Sequence, residues 1–297
     1  MSTTRSIPLS ASELTAAVRE HRPYDPSRLD RVLRVDEHHG LVEVQASTPW
    51  KAIAAALRPG DARAAHTQTT MTTVGASLAH NAAGPDGRPA ILHVQSIAVV
   101  TPGGELRRAD RATRRELFAL VAGGQGLFGA LYSVTLDIGS LSRAVNEAAP
   151  LEELSSAHPL RLLVPPEKVD SFLAEAHGCC GEWRMPLAGV EARRTLAEND
   201  SFLRWARRDY VAVALHFAEP PVLGAAVRAT QLRRELIGAA IEHGGSFHVS
   251  CTPEATRAQA EACYPQLPEF LAEKRRVDPC ERIVNSWYLH YRRLFAN

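Results

Sequence analysis

Apolar and polar positions along the chain change period several times, and each change marks an element. After a short extended piece at 6–9, Leu14, Ala17 and Val18 line one helical face behind Ser10 and Ser12, either of which can cap the first turn. Residues 29–36 and 40–46 read as two strands, with Val32, Val35, Leu41, Val42 and Val44 apolar and a turn at His38-His39-Gly40. Residues 49–57 predict an Ala-rich helix that opens on Pro49 and is stopped by Pro59-Gly60. An apolar run at 94–101 ends in the turn Pro102-Gly103-Gly104-Glu105. A helix at 114–121 and a strand at 131–136 follow.

Residues 139–158 are polar and mixed, and mark a domain boundary. Beyond them the pattern predicts a strand at 160–166 and a helix at 169–177 with Phe172, Leu173 and Ala176 on one side. Strands at 187–196 and 210–217 come next, the second rich in strong β-formers. A long amphipathic helix spans 223–242, with Val227, Leu232, Leu236, Ile237 and Ala240 apolar; Gly244-Gly245 ends it, and 246–250 reads as another strand. Alternating strands and long helices fit an antiparallel sheet covered by helices, so the predicted fold class is α+β.

Composition narrows the function classes. A chain of 297 residues is long enough for two domains, and 45% hydrophobic with 23% charged residues is globular rather than disordered. A net charge of +1 gives no general electrostatic reason for a nucleic-acid or anionic-membrane partner. No apolar run approaches a membrane span, and residues 1–22 lack the apolar core of a secretory signal. The five cysteines are odd in number and form no C-x-x-C; only Cys179-Cys180 are close, which predicts reduced thiols and a cytoplasmic location. No Cys/His set has zinc-ligand spacing, and His38-His39 reads better as a solvated turn than as metal ligands.

The densest motifs lie at 69–136. They begin with Thr72-Thr73-Val74-Gly75-Ala76-Ser77-Leu78-Ala79-His80-Asn81-Ala82-Ala83-Gly84. Then come the Pro102 turn, Glu116-Leu117-Phe118 and Gly123-Gly124-Gln125-Gly126-Leu127-Phe128-Gly129. Gly124, Gly126 and Gly129 satisfy G-x-G-x-x-G by letter, but a helix precedes them and a strand follows, the reverse of a Rossmann turn. In order and spacing these pieces resemble the second half of the FAD-binding (PCMH-type) domain of the vanillyl-alcohol-oxidase superfamily. The C-terminal pieces resemble its aldonolactone-oxidase-like and decaprenylphosphoryl-ribose-oxidase-like branch. They are Gly244-Gly245-Ser246-Phe247, Ala255-Thr256, Tyr264-Pro265, Glu269-Phe270, Lys274-Arg275-Arg276, Asp278-Pro279, Asn285-Ser286-Trp287-Tyr288 and His290-Tyr291.

The resemblance implies a shortened PCMH-type FAD-binding domain at 1–140 and an α+β substrate, or cap, domain at 141–297 whose C-terminal segment returns to the flavin domain. It implies FAD as cofactor, a small-molecule substrate, and oxidation of a sugar-like or other alcohol by hydride transfer to flavin. Thr73, Val74, Gly75, Ala76, Asn81, Gly84, Gly129 and Asn285 fall at cofactor-binding positions, the small residues letting a ligand approach the main chain. His248, Tyr288 and His290 are the catalytic candidates; an imidazole with an unperturbed pKa of about 6.5 suits a base. The bland alternatives are a packing or surface role for His248 and anchoring of the tail by Trp287, Tyr288, Tyr291 and Phe295. Cys251 is a candidate redox thiol, and the basic runs at 193–194, 204–208 and 274–276 read as solvated helix faces.

One departure stands out. Where the family carries a Gly-rich turn whose amides hold the FAD pyrophosphate, this chain has no glycine before Gly40, so that nest reads as deleted, with any covalent flavin-attachment site there. Two functions follow: an FAD-dependent oxidoreductase, or a flavin-free, inactive relative serving as a binding or partner subunit. A protein partner could also complete the flavin site.

Overall fold

The computed structural model describes residues 5–57, 73–84, 86–141, 159–218 and 224–296. The expected helix stop at Pro59-Gly60, Thr72 and most of the boundary at 139–158 lie outside the described residues. The chain divides into two compact units. Unit 1 comprises Met1–Pro150, Asn199–Leu203 and Glu269–Tyr288; unit 2 comprises Leu151–Glu198, Arg204–Pro268 and Leu289–Asn297.

Unit 1 is built on a five-stranded antiparallel sheet in the order β1-β2-β5-β3-β4. The strands are β1 (Val32–Asp36), β2 (Leu41–Gln45), β3 (Val94–Val100), β4 (Leu106–Asp110) and β5 (Ala130–Asp137). Val44 and Ile97 both pair with Val134 of the central β5, and all three are buried. The edges are made poor templates for further pairing: β1 carries a bulge between Val32 and Arg34, and β4 carries Arg107 and Arg108. Helix α1 (Ala11–Arg19) is capped by Ser10, whose side chain accepts the Glu13 amide at 3.3 Å. Its Leu14 and Val18 join Leu29, Val100 and Ala130 in a buried cluster, with Tyr24 and Tyr132 packed against it. Ser6 and Tyr24, on either side of α1, form a parallel bridge. Helices α2 (Trp50–Leu57), α3 (Val74–His80) and α4 (Arg115–Val121) complete the early part of this unit.

Unit 2 carries a four-stranded antiparallel sheet in the order β7-β8-β6-β9, formed by β6 (Leu160–Val164), β7 (Leu187–Thr195), β8 (Tyr210–Phe217) and β9 (Ser246–Phe247). Helix α5 (Val169–Glu182) packs on α6 (Ala225–Glu242), and α6 packs on β6 and β9. Helix α7 (Arg257–Cys263) opens with a full capping box between Thr256 and Gln259. Helices α8 (Leu267–Val277) and α9 (Ser286–Leu294) lie where the chain passes from unit 2 into unit 1 and back. Among the described residues no helix is long and apolar enough to cross a membrane.

Two elements differ from the sequence pattern. The expected strand at 246–250 stops at Phe247, because the His248 carbonyl is taken by the Cys251 amide (3.2 Å) and the Thr252 hydroxyl (2.9 Å), which turns the chain. In the small-residue stretch 73–84, for which the pattern predicts no helix, seven residues form α3.

The Gly-rich turn supplies a paired test of this packing. Gly129 has φ +143, and a Cβ there would strike the Val100 carbonyl and lie 2.8 Å from Val99 Cγ2; Gly126 has φ +72 but faces open space. Urea denaturation should show Gly126→Ala costing about 1 kcal/mol, the price of φ alone, and Gly129→Ala costing roughly 3 kcal/mol or more. Equal losses at the two positions would show that the turn does not pack on β3 as described.

Candidate functional site

Helix α3 is joined to the rest of unit 1 at both ends. Thr73 is its N-cap, with its side chain accepting the Ala76 amide at 3.3 Å. The Val74 amide donates to the Thr48 carbonyl (3.1 Å) and the Gly75 amide to the Ala46 carbonyl (2.7 Å). Gly75 is small because α3 sits directly on the end of β2: an added Cβ would lie 2.7 Å from that carbonyl and 3.0 Å from Ala46 Cβ. At the other end the Gly-rich turn caps the helix. The Gly123 amide donates to Leu78 O (2.8 Å) and the Gln125 amide to Ala79 O (2.9 Å). Positive φ at Gly123, Gln125 and Gly126 shapes this turn.

Asn81 ends α3 in the left-handed conformation (φ 47, ψ 41) and is fully buried. Its Oδ1 accepts the Ile91 amide at 3.0 Å and its Nδ2 donates to Ser201 Oγ at 3.5 Å. Asn285 caps α9 through the Tyr288 amide (2.9 Å) and donates its Nδ2 to the Gln125 carbonyl (2.9 Å). Asn81 and Asn285 thus both reach the neighbourhood of the Gly-rich turn. Gly84 faces a carboxylate: a Cβ there would lie 2.9 Å from Asp86 Oδ1.

Asp86 belongs to a buried polar network that the sequence pattern did not mark. His93 Nδ1 lies 2.6 Å from Ser140 Oγ, and its Nε2 lies 3.5 Å from Asp86 Oδ2, as does Arg88 Nε. Burial pushes the Asp86 carboxyl up, but the His93 hydrogen bond and the Arg88 amide and charge outweigh it, so the acid sits below its ordinary value and is ionised. His80, at the end of α3, is pushed down by burial and is neutral at neutral pH.

The three catalytic candidates are distributed over both units. Tyr288, in unit 1, is fully buried; its hydroxyl is 2.6 Å from Glu281 Oε1 and its ring lies 6.0 Å from Lys274 Nζ. Lys274 is itself 0% exposed and paired with Asp278, which also accepts the amides of Arg282 (3.0 Å) and Ile283 (2.9 Å). The basic run 274–276 is therefore not a solvated face at Lys274. The spacing carried the signal: Phe270, Leu271 and Lys274 fall at i, i+1 and i+4 of one apolar stripe, with Asp278 one turn on. The run at 204–208, unlike 274–276, is not helical, and it sets exposed arginines around buried Trp205 and Ala206.

His248 and His290 lie in unit 2. The half-buried His248 donates its amide to Arg161 O (3.2 Å) and stacks at 4.8 Å and 40° on Trp205. His290 packs edge-on against Tyr291 (4.9 Å), and its buried Nε2 has no hydrogen-bond partner among the described residues. Burial lowers its pKa against the opposing pull of Glu254, so the ring is neutral at neutral pH. Cys251 is exposed as a residue, yet desolvation of its thiol by the surrounding chain pushes it up to about 11, which does not suit a redox thiolate.

Residues 25–110 match the family model of an FAD binding domain. The match covers α3 and the first four strands of the unit 1 sheet, and indicates FAD binding by this domain. No match was found among curated proteins. The diphosphate half of FAD does not fit the described residues at these positions. A phosphate needs unclaimed amide donors or cations. The first-turn amides of α3 are bonded to protein acceptors, Gly84 abuts an ionised carboxylate, and the Cβ spaces of Gly75 and Gly129 are filled by the main chain of Ala46 and Val100.

The Lys274–Asp278 pair has a measurable signature. Burial raises the Asp278 acid, but Lys274 and the two amides more than offset it, so its folded pKa lies below the ordinary value. Its contribution is then complete above about pH 4 and is lost as pH falls through the folded pKa. Asp278→Asn should cost about 3 kcal/mol at pH 7, with the gap from wild type closing below about pH 4 in urea titrations. A pH-independent gap would mean that Asp278 is not held as an ion.

Proposed function

We propose that the protein is an FAD-linked oxidoreductase whose electron donor is an alcohol, sugar-like or related, with unit 2 as the substrate domain. The observation that carries this reading is the match of residues 25–110 to an FAD binding domain. A bound flavin would supply the hydride acceptor, and the chain would supply a base for the hydroxyl proton. His290 is the candidate best suited to that base: it is neutral, and it carries a buried ring nitrogen without a partner among the described residues. His248 is the second candidate, held by Trp205 in a fixed ring plane. Tyr288 suits a positioning role, because its hydroxyl is committed to Glu281 inside unit 1.

A second reading is a flavin-free binding or partner subunit. It is favoured by the commitment of the α3 amides to Thr48, Ala46 and Thr73. The visible spectrum of the purified protein separates the two. On the first reading, flavin bands are present and heat releases about one FAD per chain. A colourless protein that takes up no added FAD would sink the oxidoreductase reading for the isolated chain and leave the partner-subunit reading. If flavin is bound, His290→Gln should lower kcat by about 100-fold or more with aldoses or alditols as substrates, while leaving the flavin spectrum unchanged. Unaltered kcat would remove His290 from the proton-transfer role.

A further inference from the structure

We propose that Arg161 binds an oxyanion in unit 2, so that the alcohol this protein oxidises also carries a carboxylate or phosphate group. This rests on the reading of unit 2 as the substrate domain of an FAD-linked oxidoreductase. The sheet of unit 2 has two unlike faces. Leu162 and Val213 are in register, and with Leu160, Leu215 and Phe217 they form a buried apolar face. Helix α6 lies on this side, with its Arg233 guanidinium 5.2 Å from the centroid of the Phe217 ring. Residues one step along each strand form the other face. There Arg161, Ala214 and Glu191 are in register across β6, β8 and β7, and Leu163, Ala212 and Arg193 form the next row.

The carboxylate of this second face is already engaged: Glu191 Oε1 lies 2.8 Å from His216 Nε2. Arg161 is different. It is half-buried on β6, an inner strand paired with β8 on one side and β9 on the other. Among the described residues no carboxylate or carbonyl pairs with its guanidinium. A half-buried charge gains from a partner that replaces the water it has lost. A planar fork of N–H donors in that position suits bidentate capture of a carboxylate or phosphate.

Arg161 also adjoins the segment that leads to the proposed base. Its carbonyl accepts the His248 amide (3.2 Å), and one residue further on the Val249 carbonyl accepts the Tyr291 hydroxyl of α9 (3.5 Å). His290 packs on Tyr291, and its Nε2 is buried without a partner among the described residues. Glu254 Oε2, between β9 and α7, is likewise buried without a hydrogen-bond partner. Burial raises the Cys251 thiol and the Arg161 charge opposes it, which puts the guanidinium within electrostatic reach of this same segment. An oxyanion held by Arg161 leaves the hydroxyl groups of the same small molecule for His290 and Glu254.

Isothermal titration calorimetry of the full chain with D-gluconate, D-glucitol 6-phosphate and neutral D-glucitol tests this. At least one of the two anions should bind about tenfold or more tightly than glucitol, and the better of them identifies the oxyanion. Arg161→Gln should abolish that preference, Arg161→Lys should keep part of it, and Arg194→Gln, on the opposite face of β7, should leave it unchanged. Glucitol binding as tightly as both anions, or no binding by either anion, overturns the proposal from the wild-type protein alone. A preference that survives both Arg161 variants overturns it as well. The visible spectrum of the same samples keeps the two readings apart. Flavin-loaded protein without an anion preference removes the Arg161 site and leaves the oxidoreductase. An anion preference lost in Arg161→Gln, in a protein that takes up no flavin, removes the oxidoreductase and leaves the site.

Discussion

The seven-residue helix α3 exists because other parts of unit 1 hold it. A helix of that length is far too short to persist in water on its own. Its first amides bond back to the exit of β2 and the residues after it, and its last carbonyls receive amides from a turn more than forty residues later. Asn81, in a left-handed conformation at the join, ties the helix to the Ile91 amide and to Ser201. Remove these bonds and β2, the Gly-rich turn and the segment around Ile91 lose their common anchor. The small side chains at 75 and 76 are what allow so close an approach: a Cβ at Gly75 would separate α3 from Ala46.

Polar groups buried away from α3 do comparable work at the later end of unit 1. Lys274 and Asp278 neutralise each other one helical turn apart, Asp278 takes two further amides, and Tyr288 closes the set through Glu281. Phe270 bridges this part to the rest of the unit, meeting Phe128 at 5.0 Å and Trp287 at 5.8 Å. A buried pair of this kind adds little net stability compared with an apolar pair, but losing one member is expensive, so it constrains how α8 can sit.

The regular elements were legible because each had a clean period. The strands around Val44, Val134 and Val213 alternate or run continuously apolar, and Ser10 marks the start of α1 by its capping chemistry. What the pattern leaves open is the cause of the small residues. Gly129 and the small residues at 75, 76 and 84 fit a ligand approaching the backbone and also fit backbone approaching backbone. Sequence cannot separate the two, because both need the same missing Cβ. Coordinates separate them at Gly75 and Gly129, where the neighbour is a carbonyl of the chain itself. Lys274 was misread for the opposite reason: its type suggested solvent, while its position on the apolar stripe of α8 pointed inward. Apolar neighbours make His248 read as a strand residue, and the competing turn is set by Thr252, four residues downstream.

The discontinuity of unit 1 has a consequence for the chain as it is made. Its sheet is complete at Asp137, yet the residues that secure the Gly-rich turn, Phe270 and Asn285, are synthesised more than a hundred residues later. At a ribosomal rate of about 5–20 residues per second, the 160 residues that separate Gln125 from Asn285 take roughly 8–32 s to add. For most of that interval Phe128 has no Phe270 to cover it, and the nascent unit is open to chaperones, to proteases and to other copies of itself. Truncation before Phe270 therefore removes part of the first unit along with part of the second.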